Sequence, residues 1–221
     1  MTWFDINRAL VIIRQFLSRW RSQISNIHQN VRPSSVFECF CFISVVEAYD
    51  QCGYNIQCKG PREIVFKRSV RGWPNRFTYF IVSNSQATLE IRQNQGYRNN
   101  QVYFNLDIAI VHGEDSLDGD TLTAQNIHTF CECKHYRTFS PSVCASFLGL
   151  ARLVMPRNIL WAPSQHSYPP PVLLVSGSAS PNVINQLQAL IRRKRYHIRF
   201  LENISPYGNT SILTHWILRR I

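Results

Sequence analysis

Three charged residues lie in two apolar segments of the chain, and together they could bind a divalent cation. Asp107 interrupts the segment VYFNLDIAIV, and Glu132 and Lys134 lie in the segment HTFCECKHY. If the two segments pair as an antiparallel hairpin with Val111 opposite His128, Asp107 falls opposite Glu132, with the two Cβ atoms about 5 Å apart. Two carboxylates this close repel each other unless a cation lies between them, and a hard divalent cation with oxygen ligands suits such a pair.

Lys134 adds a positive charge to this arrangement. Because side chains alternate along a strand, Lys134 lies on the same face as Glu132, about 6–7 Å further along. A carboxylate pair with an adjacent ammonium group could bind Mg²⁺ or Mn²⁺, orient a water molecule and neutralise charge on a phosphate. The alternative is an ordinary solvated strand face. Carboxylates are depleted in strands and rarely buried without a partner, which favours the metal site.

These two segments resemble the PD-(D/E)xK superfamily of restriction-endonuclease-like nucleases. The stretch NLDIAIV is similar to the Asp-bearing strand of that superfamily, and Glu132-Cys133-Lys134 matches its (D/E)xK tripeptide, with a predicted helix following. Leu106 stands before Asp107 in place of the proline of the motif. The resemblance implies that Asp107 and Glu132 hold the catalytic Mg²⁺ or Mn²⁺ and that Lys134 positions or activates the hydrolytic water.

Further carboxylates are candidates for the same site. The resemblance implies a glutamate on the helix that precedes the sheet, for which Glu38 is the first choice and Glu47 the second. Glu90, in the strand-like segment ATLEIRQ, is a further candidate metal ligand, and the alternative for it is an exposed strand glutamate.

The cysteines allow a different kind of metal site. Cys131, Cys133 and His135 fall on the strand face opposite Glu132, and Cys144 follows on the next predicted helix. These residue types suit zinc. Small thiols buried under a covering helix are the commoner arrangement and are favoured here.

Charge and composition limit the class of protein. The 24 Lys and Arg residues exceed the 13 Asp and Glu residues, so the net charge is +11, which favours a polyanionic partner such as DNA. A chain with 45% hydrophobic and 12% aromatic residues is not a disordered tail. Seven cysteines, an odd number, indicate free thiols in a reducing compartment. With neither a signal peptide nor an apolar run near 20 residues, we expect a soluble cytoplasmic protein without membrane contact.

The first thirty residues contain an apolar stripe with helical spacing. Its members recur at intervals of four and three residues and are Ile6, Leu10, Ile13, Leu17, Trp20, Ile24 and Ile27. A stripe this regular is typical of a helix that either packs on its own domain or pairs with a second copy to form a homodimer.

The remaining elements alternate between helices and strands. A second helix is predicted to begin near Ser34 or Ser35 and to end by Gly53. The later predicted elements are strands Phe77–Val82, Ala87–Gln93, Val102–Val111, His128–Tyr136, Val172–Ser176 and His197–Leu201, with helices starting at Pro141 and Pro181. This order predicts an α/β sandwich. The resemblance implies a restriction-endonuclease-like α-β-α sandwich with a mixed central sheet over residues 33–221. The apolar stripe predicts an N-terminal amphipathic helix over residues 1–32.

The function that these observations predict is a metal-dependent nuclease that hydrolyses DNA phosphodiester bonds, in defence against foreign DNA or in DNA repair. The preference for DNA over RNA comes from the resemblance alone. The alternative is a catalytically inactive DNA-binding module, or a subunit of a larger complex, that keeps the nuclease fold, because a fold does not guarantee an activity.

Overall fold

The computed structural model describes residues 4–21, 31–67, 76–98, 103–113, 121–123, 125–155, 169–194, 196–208 and 211–218, and Ile24 and Ile27 of the apolar stripe lie outside them. The described helices are α1 (Ile6–Leu17), α2 (Pro33–Gln51), α3 (Pro141–Val154), α4 (Pro181–Lys194) and α5 (Ser211–Leu218). The described strands are β1 (Asn55–Lys59), β2 (Tyr79–Ser83), β3 (Thr88–Arg98), β4 (Tyr103–His112), β5 (Thr121–Leu122), β6 (Ile127–Lys134), β7 (Val172–Val175) and β8 (Arg199–Leu201).

The strands form one mixed sheet. Within the described residues, seven strands follow the order β1-β2-β3-β4-β6-β7-β8, and the short strand β5 pairs with β3. Neighbours from β1 to β6 along this order are antiparallel, whereas β6, β7 and β8 are parallel. Parallel neighbours need a crossover connection, and α3 and α4 occupy the two connections. The predicted α/β class with a mixed sheet is confirmed.

Helices cover both faces of the sheet. One apolar cluster, here called the first cluster, joins α1, α2 and α5 to one face, and its members include Leu10, Phe40 and Trp216. The second cluster joins α3 and α4 to the other face and includes Phe147 and Leu173. In the described part of the chain, no helix combines the length and the apolar character that crossing a bilayer requires.

Helix α2 is the central helix of the first cluster. Its buried residues include Phe37, Phe40, Cys41, Val45 and Tyr49. Side chains on its other sides, including Cys39, Ile43 and Val46, are also buried. The helix can be apolar around its circumference because it lies between the sheet on one side and α1 and α5 on the other.

The ends of α2 follow from proline and glycine. The helix begins at Pro33, one residue before the predicted Ser34, in the first turn where proline costs no hydrogen bond. Gly53 follows the last turn with a φ of 84°, a conformation that glycine adopts without strain. The predicted end of the helix is therefore confirmed.

Helix α1 packs on its own chain through the apolar stripe. Leu10, Ile13 and Leu17 are buried in the first cluster against α2. The helix ends at Leu17, so the prediction of a continuous helix through Trp20 is wrong; the Trp20 ring instead packs on Phe80 of β2 at 5.4 Å between centroids. These stripe residues are covered within one chain, which leaves the predicted homodimer contact unsupported.

Truncation of the stripe tests whether α1 belongs to the core. We expect Ile13→Ala to lower the free energy of unfolding by about 2–5 kcal/mol, because the side chain is fully buried and its loss leaves a cavity. Val11→Ala on the exposed side of α1 is the matched control and should change stability by less than about 0.5 kcal/mol. Chemical denaturation measures both. Equal stability of the two variants, or an Ile13→Ala variant that loses only a dimer in sedimentation, would contradict this packing.

Candidate functional site

The pairing of β4 with β6 brings the two charged segments together. Ile108 pairs with Cys131 in the predicted antiparallel register. A β-bulge further along puts Val111 opposite Ile127, so the predicted pair of Val111 with His128 is wrong. The bulge lies at the far end of the hairpin, and the described ladder ends at Ile108 and Cys131, one residue short of Asp107 and Glu132.

Asp107 joins the two strands through its side chain, next to the point where their ladder ends. Its Oδ2 atom accepts a hydrogen bond from the backbone N–H of Cys133 at 2.8 Å. Lys134 Nζ lies 3.6 Å from the same oxygen and donates a hydrogen bond to Glu132 Oε1 at 2.5 Å. The ammonium group of Lys134 therefore bridges the two carboxylates, and the predicted cluster of these three side chains is present.

Glu132 and Lys134 also line a cavity of about 390 Å³ between β6 and α3, here called the site cavity. The other carboxylate oxygen of Glu132, Oε2, is buried and accepts no hydrogen bond from the described residues. A buried acceptor without a donor costs free energy, so a cation or donor bound there would be stabilising.

The pKa values of both carboxyl groups lie above their ordinary values. Burial, with the charge of Asp107 second, raises the pKa of Glu132 to about 7. Burial likewise raises the pKa of Asp107, against the opposing effects of Lys134 and the Cys133 N–H. A cation bound beside these two groups would lower their pKa values and favour their ionised forms.

Lys134 remains a cation throughout the neutral range. Burial on its own would lower the pKa of Lys134, but the Asp107 and Glu132 carboxylates outweigh burial and raise that pKa above its ordinary value. A lysine in this state donates hydrogen bonds and stabilises negative charge, and it cannot accept a proton as a general base.

Glu38 belongs to the cluster, whereas Glu47 lies elsewhere on α2. Burial, followed by the charge of Asp107, raises the pKa of Glu38 to about 7, and Lys134 acts on it in the opposite direction. Glu47 is nine residues further along the helix, a rise of about 14 Å. Burial also raises the pKa of Glu47, but the charges beside it are Arg19 and Asp50. The first choice for the helix glutamate is the one that the structure brings to the site.

Glu90 does not join the cluster, and its prediction as a metal ligand is corrected. Its Oε2 atom forms a buried ion pair with Arg92 Nη2 at 2.6 Å, and the Arg92 guanidinium lies 4.1 Å from the centre of the Tyr79 ring. Glu90 pairs with Val111 across the sheet, four residues and about 13 Å along β4 from Asp107. The carboxylate is neither exposed nor free, because a guanidinium already satisfies it.

The cysteine residues do not form the zinc site considered above. Cys131 and Cys133 are buried in the first cluster under α2, whereas Cys144 is buried in the second cluster on the other side of the sheet. The ring of His135 packs against Phe4 at 5.2 Å between centroids. The alternative of small buried thiols under a covering helix is confirmed.

Two asparagines complete the polar network, and the sequence reasoning missed both. Asn94 hydrogen-bonds Glu38 and donates through Nδ2 to the backbone carbonyl of Lys67 at 2.6 Å, and its Oδ1 accepts from Asn105 Nδ2 at 2.9 Å. Asn105 in turn lines the site cavity. An asparagine within a strand-like run was the available signal, because asparagine is depleted in strands.

The alternation of side chains between the two faces of the sheet is interrupted beside Asp107. Leu106 packs in the second cluster and Ile108 in the first, although alternate residues of a regular strand share a face. The neighbouring strand β3 contains Asn94 with a φ of 48°, a left-handed conformation that asparagine tolerates better than most residues. Asp107 therefore lies where the two layers meet, and its charge acts on Glu38 of α2 as well as on Lys134 of β6.

The assignment of this site rests on the arrangement of its side chains. Among the described residues, no three His, Cys, Asp or Glu side chains converge closely enough to enclose a metal ion. No family model, curated protein or solved structure matches this chain. What the structure contributes is a buried pair of carboxylates bridged by a lysine, with a third carboxylate close by.

The raised pKa of Glu132 makes stability depend on pH. The folded protein keeps the Glu132 proton up to about pH 7 and the unfolded chain releases it near 4.5, so stability is full below about 4.5 and falls as pH rises to about 7. The amide of Glu132→Gln does not titrate, so in this variant we expect the free energy of unfolding to escape a decrease on the order of 2 kcal/mol across this window. Denaturation at several pH values measures the effect, with the exposed Glu63→Gln as control. Parallel pH profiles for wild type and Glu132→Gln would refute it.

Proposed function

We propose that this protein is a metal-dependent nuclease that hydrolyses phosphodiester bonds of DNA. The observation that carries the proposal is the bridging of Asp107 and Glu132 by Lys134, with the unpartnered Oε2 atom of Glu132 beside a cavity. The net charge of +11 supports a polyanionic substrate. All seven cysteines carry free thiols, which supports action in the reducing cytoplasm, as predicted.

The donor set suits Mg²⁺ or Mn²⁺. Three carboxylates, of Glu38, Asp107 and Glu132, and one ammonium group carry a net charge of −2 when all are ionised. Mg²⁺ is usually held by one or two carboxylates together with water and substrate phosphates, so a three-residue cage is not required. Asp107 and Glu132 would hold the ion, which when bound would supply Lewis-acid activation of the phosphate and of the attacking water.

The residues of the chain have separate tasks in this proposal. Lys134, which stays protonated, donates hydrogen bonds to a water or a phosphate oxygen and stabilises the negative charge that develops during hydrolysis. Glu38 has a pKa of about 7, close to the value that suits a group exchanging protons at neutral pH, and we assign it to accept a proton from the water. Asp107 also fixes the spacing of the strands through the N–H of Cys133.

The order of elements supports a restriction-endonuclease-like fold as part of the proposal. Asp107 lies on an antiparallel strand, Glu132 and Lys134 lie on the next strand of the sheet, and α3 then leads to a parallel strand. A preceding helix, α2, contributes Glu38. Membership of the PD-(D/E)xK superfamily is proposed on this arrangement together with the sequence motif.

A nuclease-fold protein that binds DNA without cleaving it is the second candidate. One observation favours it: Lys134 already forms ion pairs with both carboxylates, so the described side chains partly neutralise the site without a metal ion. Under this alternative the charged cluster stabilises the sheet and DNA binding depends on surface charge alone.

Cleavage of plasmid DNA with Mg²⁺ or Mn²⁺ tests the nuclease. We expect Glu132→Ala and Lys134→Ala each to lower the rate at least about 100-fold, because the first removes a residue that would hold the metal ion and the second removes the cation that stabilises developing negative charge. Glu38→Gln should lower the rate about 100-fold as well. The matched control is Glu47→Gln on the same helix, which should cleave at the wild-type rate because Glu47 lies beside Arg19. Undiminished cleavage by Glu132→Ala and Lys134→Ala would overturn the assignment.

Calorimetry with Mn²⁺ separates the two candidates without relying on turnover. The nuclease should bind Mn²⁺ and release protons near pH 7, because Glu132 and Glu38 hold protons there until the cation displaces them. Repeating the titration in buffers of different ionisation enthalpy counts those protons, and Asp107→Asn should abolish the binding heat. DNA affinity that is the same with EDTA, together with no Asp107-dependent uptake of Mn²⁺, would favour the binding module.

A further inference from the structure

The wall of the site cavity is partly aromatic and partly polar. Its aromatic residues are Phe104, Tyr136 and Phe147, and its polar residues besides the charged pair include Asn105, Ser142 and Ser146. The volume of about 390 Å³ lies in the lower part of the range, roughly 300–1,000 Å³, that accommodates small organic ligands. A flat heteroaromatic ring with polar edges matches both the size and the lining.

The cavity opens directly beside the atoms assigned to cleavage. Lys134 and Glu132 belong to its wall. A chemical group that is attached by a short linker to a phosphate bound at Lys134 could therefore enter the cavity. In a nucleic acid the base attached to the sugar next to the scissile phosphate is such a group. A cavity next to the cleavage site would therefore hold such a base.

Tyr136 is positioned as a stacking platform at this cavity. It follows Lys134 by two residues, and 45% of its surface is exposed. Its backbone is held in place because the hydroxyl of Ser176 donates to the Tyr136 carbonyl at 3.2 Å. Gly177 packs so closely that a Cβ atom there would lie 2.3 Å from the same carbonyl oxygen. The ring is exposed while its backbone is fixed, which limits the entropy lost on stacking.

We infer that the site cavity receives the base of an unpaired nucleotide adjacent to the scissile phosphate, so that the protein prefers single-stranded DNA, or junctions with unpaired bases, over regular duplex. This inference rests on the proposed function. A base inside a duplex has both faces stacked and must be extruded before it enters such a cavity, at a cost in free energy. An unpaired base avoids most of that cost and gains the contact with the Tyr136 ring.

The test is a binding measurement with a fluorescein-labelled single-stranded oligonucleotide and the same oligonucleotide as a duplex. Anisotropy is recorded in EDTA at fixed salt, so that no cleavage takes place. Ser146→Trp fills the cavity from the exposed face of α3. Its matched control is Ala145→Trp, which places the same bulky residue on the adjacent exposed position of α3, outside the lining of this cavity. Thermal unfolding verifies that both variants are folded.

We expect wild type to bind the single strand at least about tenfold more tightly than the duplex. Ser146→Trp should lose this preference, and Ala145→Trp should keep it. Tyr136→Ala should weaken single-strand binding about tenfold and Tyr136→Phe should preserve it, because stacking needs the ring and not the hydroxyl. The Tyr136 pair keeps the test decisive if Ser146→Trp fails to fold.

Equal affinities for the two forms of DNA, no binding of either, or a normal preference in both Ser146→Trp and Tyr136→Ala would overturn the inference. Metal-dependent cleavage measured in parallel separates it from the proposed function. Cleavage with a normal preference in those variants rejects the cavity as a base site and retains the nuclease. A cavity-dependent preference without cleavage retains the base site and rejects the nuclease.

Discussion

The structure around the site depends on one buried carboxylate. Asp107 lies next to the point where the ladder between β4 and β6 ends, and its Oδ2 atom takes the backbone N–H of Cys133 as partner. The same oxygen attracts Lys134, and Lys134 in turn holds Glu132. Because a buried carboxylate is tolerated only with such partners, the position of Asp107 determines the positions of the other two charged side chains.

Asp107 also lies between the two layers of helices. Side-chain alternation is interrupted next to it, because Leu106 and Ile108 lie in clusters on opposite faces of the sheet. Asn94 of the adjacent strand adopts a left-handed conformation. A regular alternation would confine a strand side chain to one layer. The irregularity allows one carboxylate to influence Glu38 from the helix on one face and Lys134 beside the cavity on the other.

The burial of α2 has a consequence for the chemistry of the site. A helix enclosed on all sides by α1, α5 and the sheet holds its polar residues in a poorly solvated environment, and the pKa of Glu38 rises for that reason first. Glu38 and Glu132 therefore keep protons at a pH where exposed carboxylates have lost them. Such a site gains more from a divalent cation than an exposed cluster would, since the cation replaces the missing solvation and the repulsion together.

Patterns along the sequence predicted the α/β class, most of the strands and helices, and the cluster of Asp107, Glu132 and Lys134. Alternation along a strand and the register of a hairpin are local rules, and they predicted which of these side chains share a face. The same rules led to errors wherever a distant partner decided the outcome. Glu90 is satisfied by Arg92 stacked on Tyr79, and Cys144 is separated from Cys131 by the sheet.

Three features follow only from the packing of the chain. They are the helix glutamate that reaches the site, the partner of the apolar stripe of α1, and the link that Asn94 and Asn105 make between the layers. Glu38 and Glu47 occupy the same helix, and periodicity alone does not tell which of them lies near Asp107 and Lys134. The stripe of α1 has the same spacing whether it covers α2 or a second copy of the chain. Burial and hydrogen-bond partners are properties of the packed chain, and a pattern along the sequence contains them only in part.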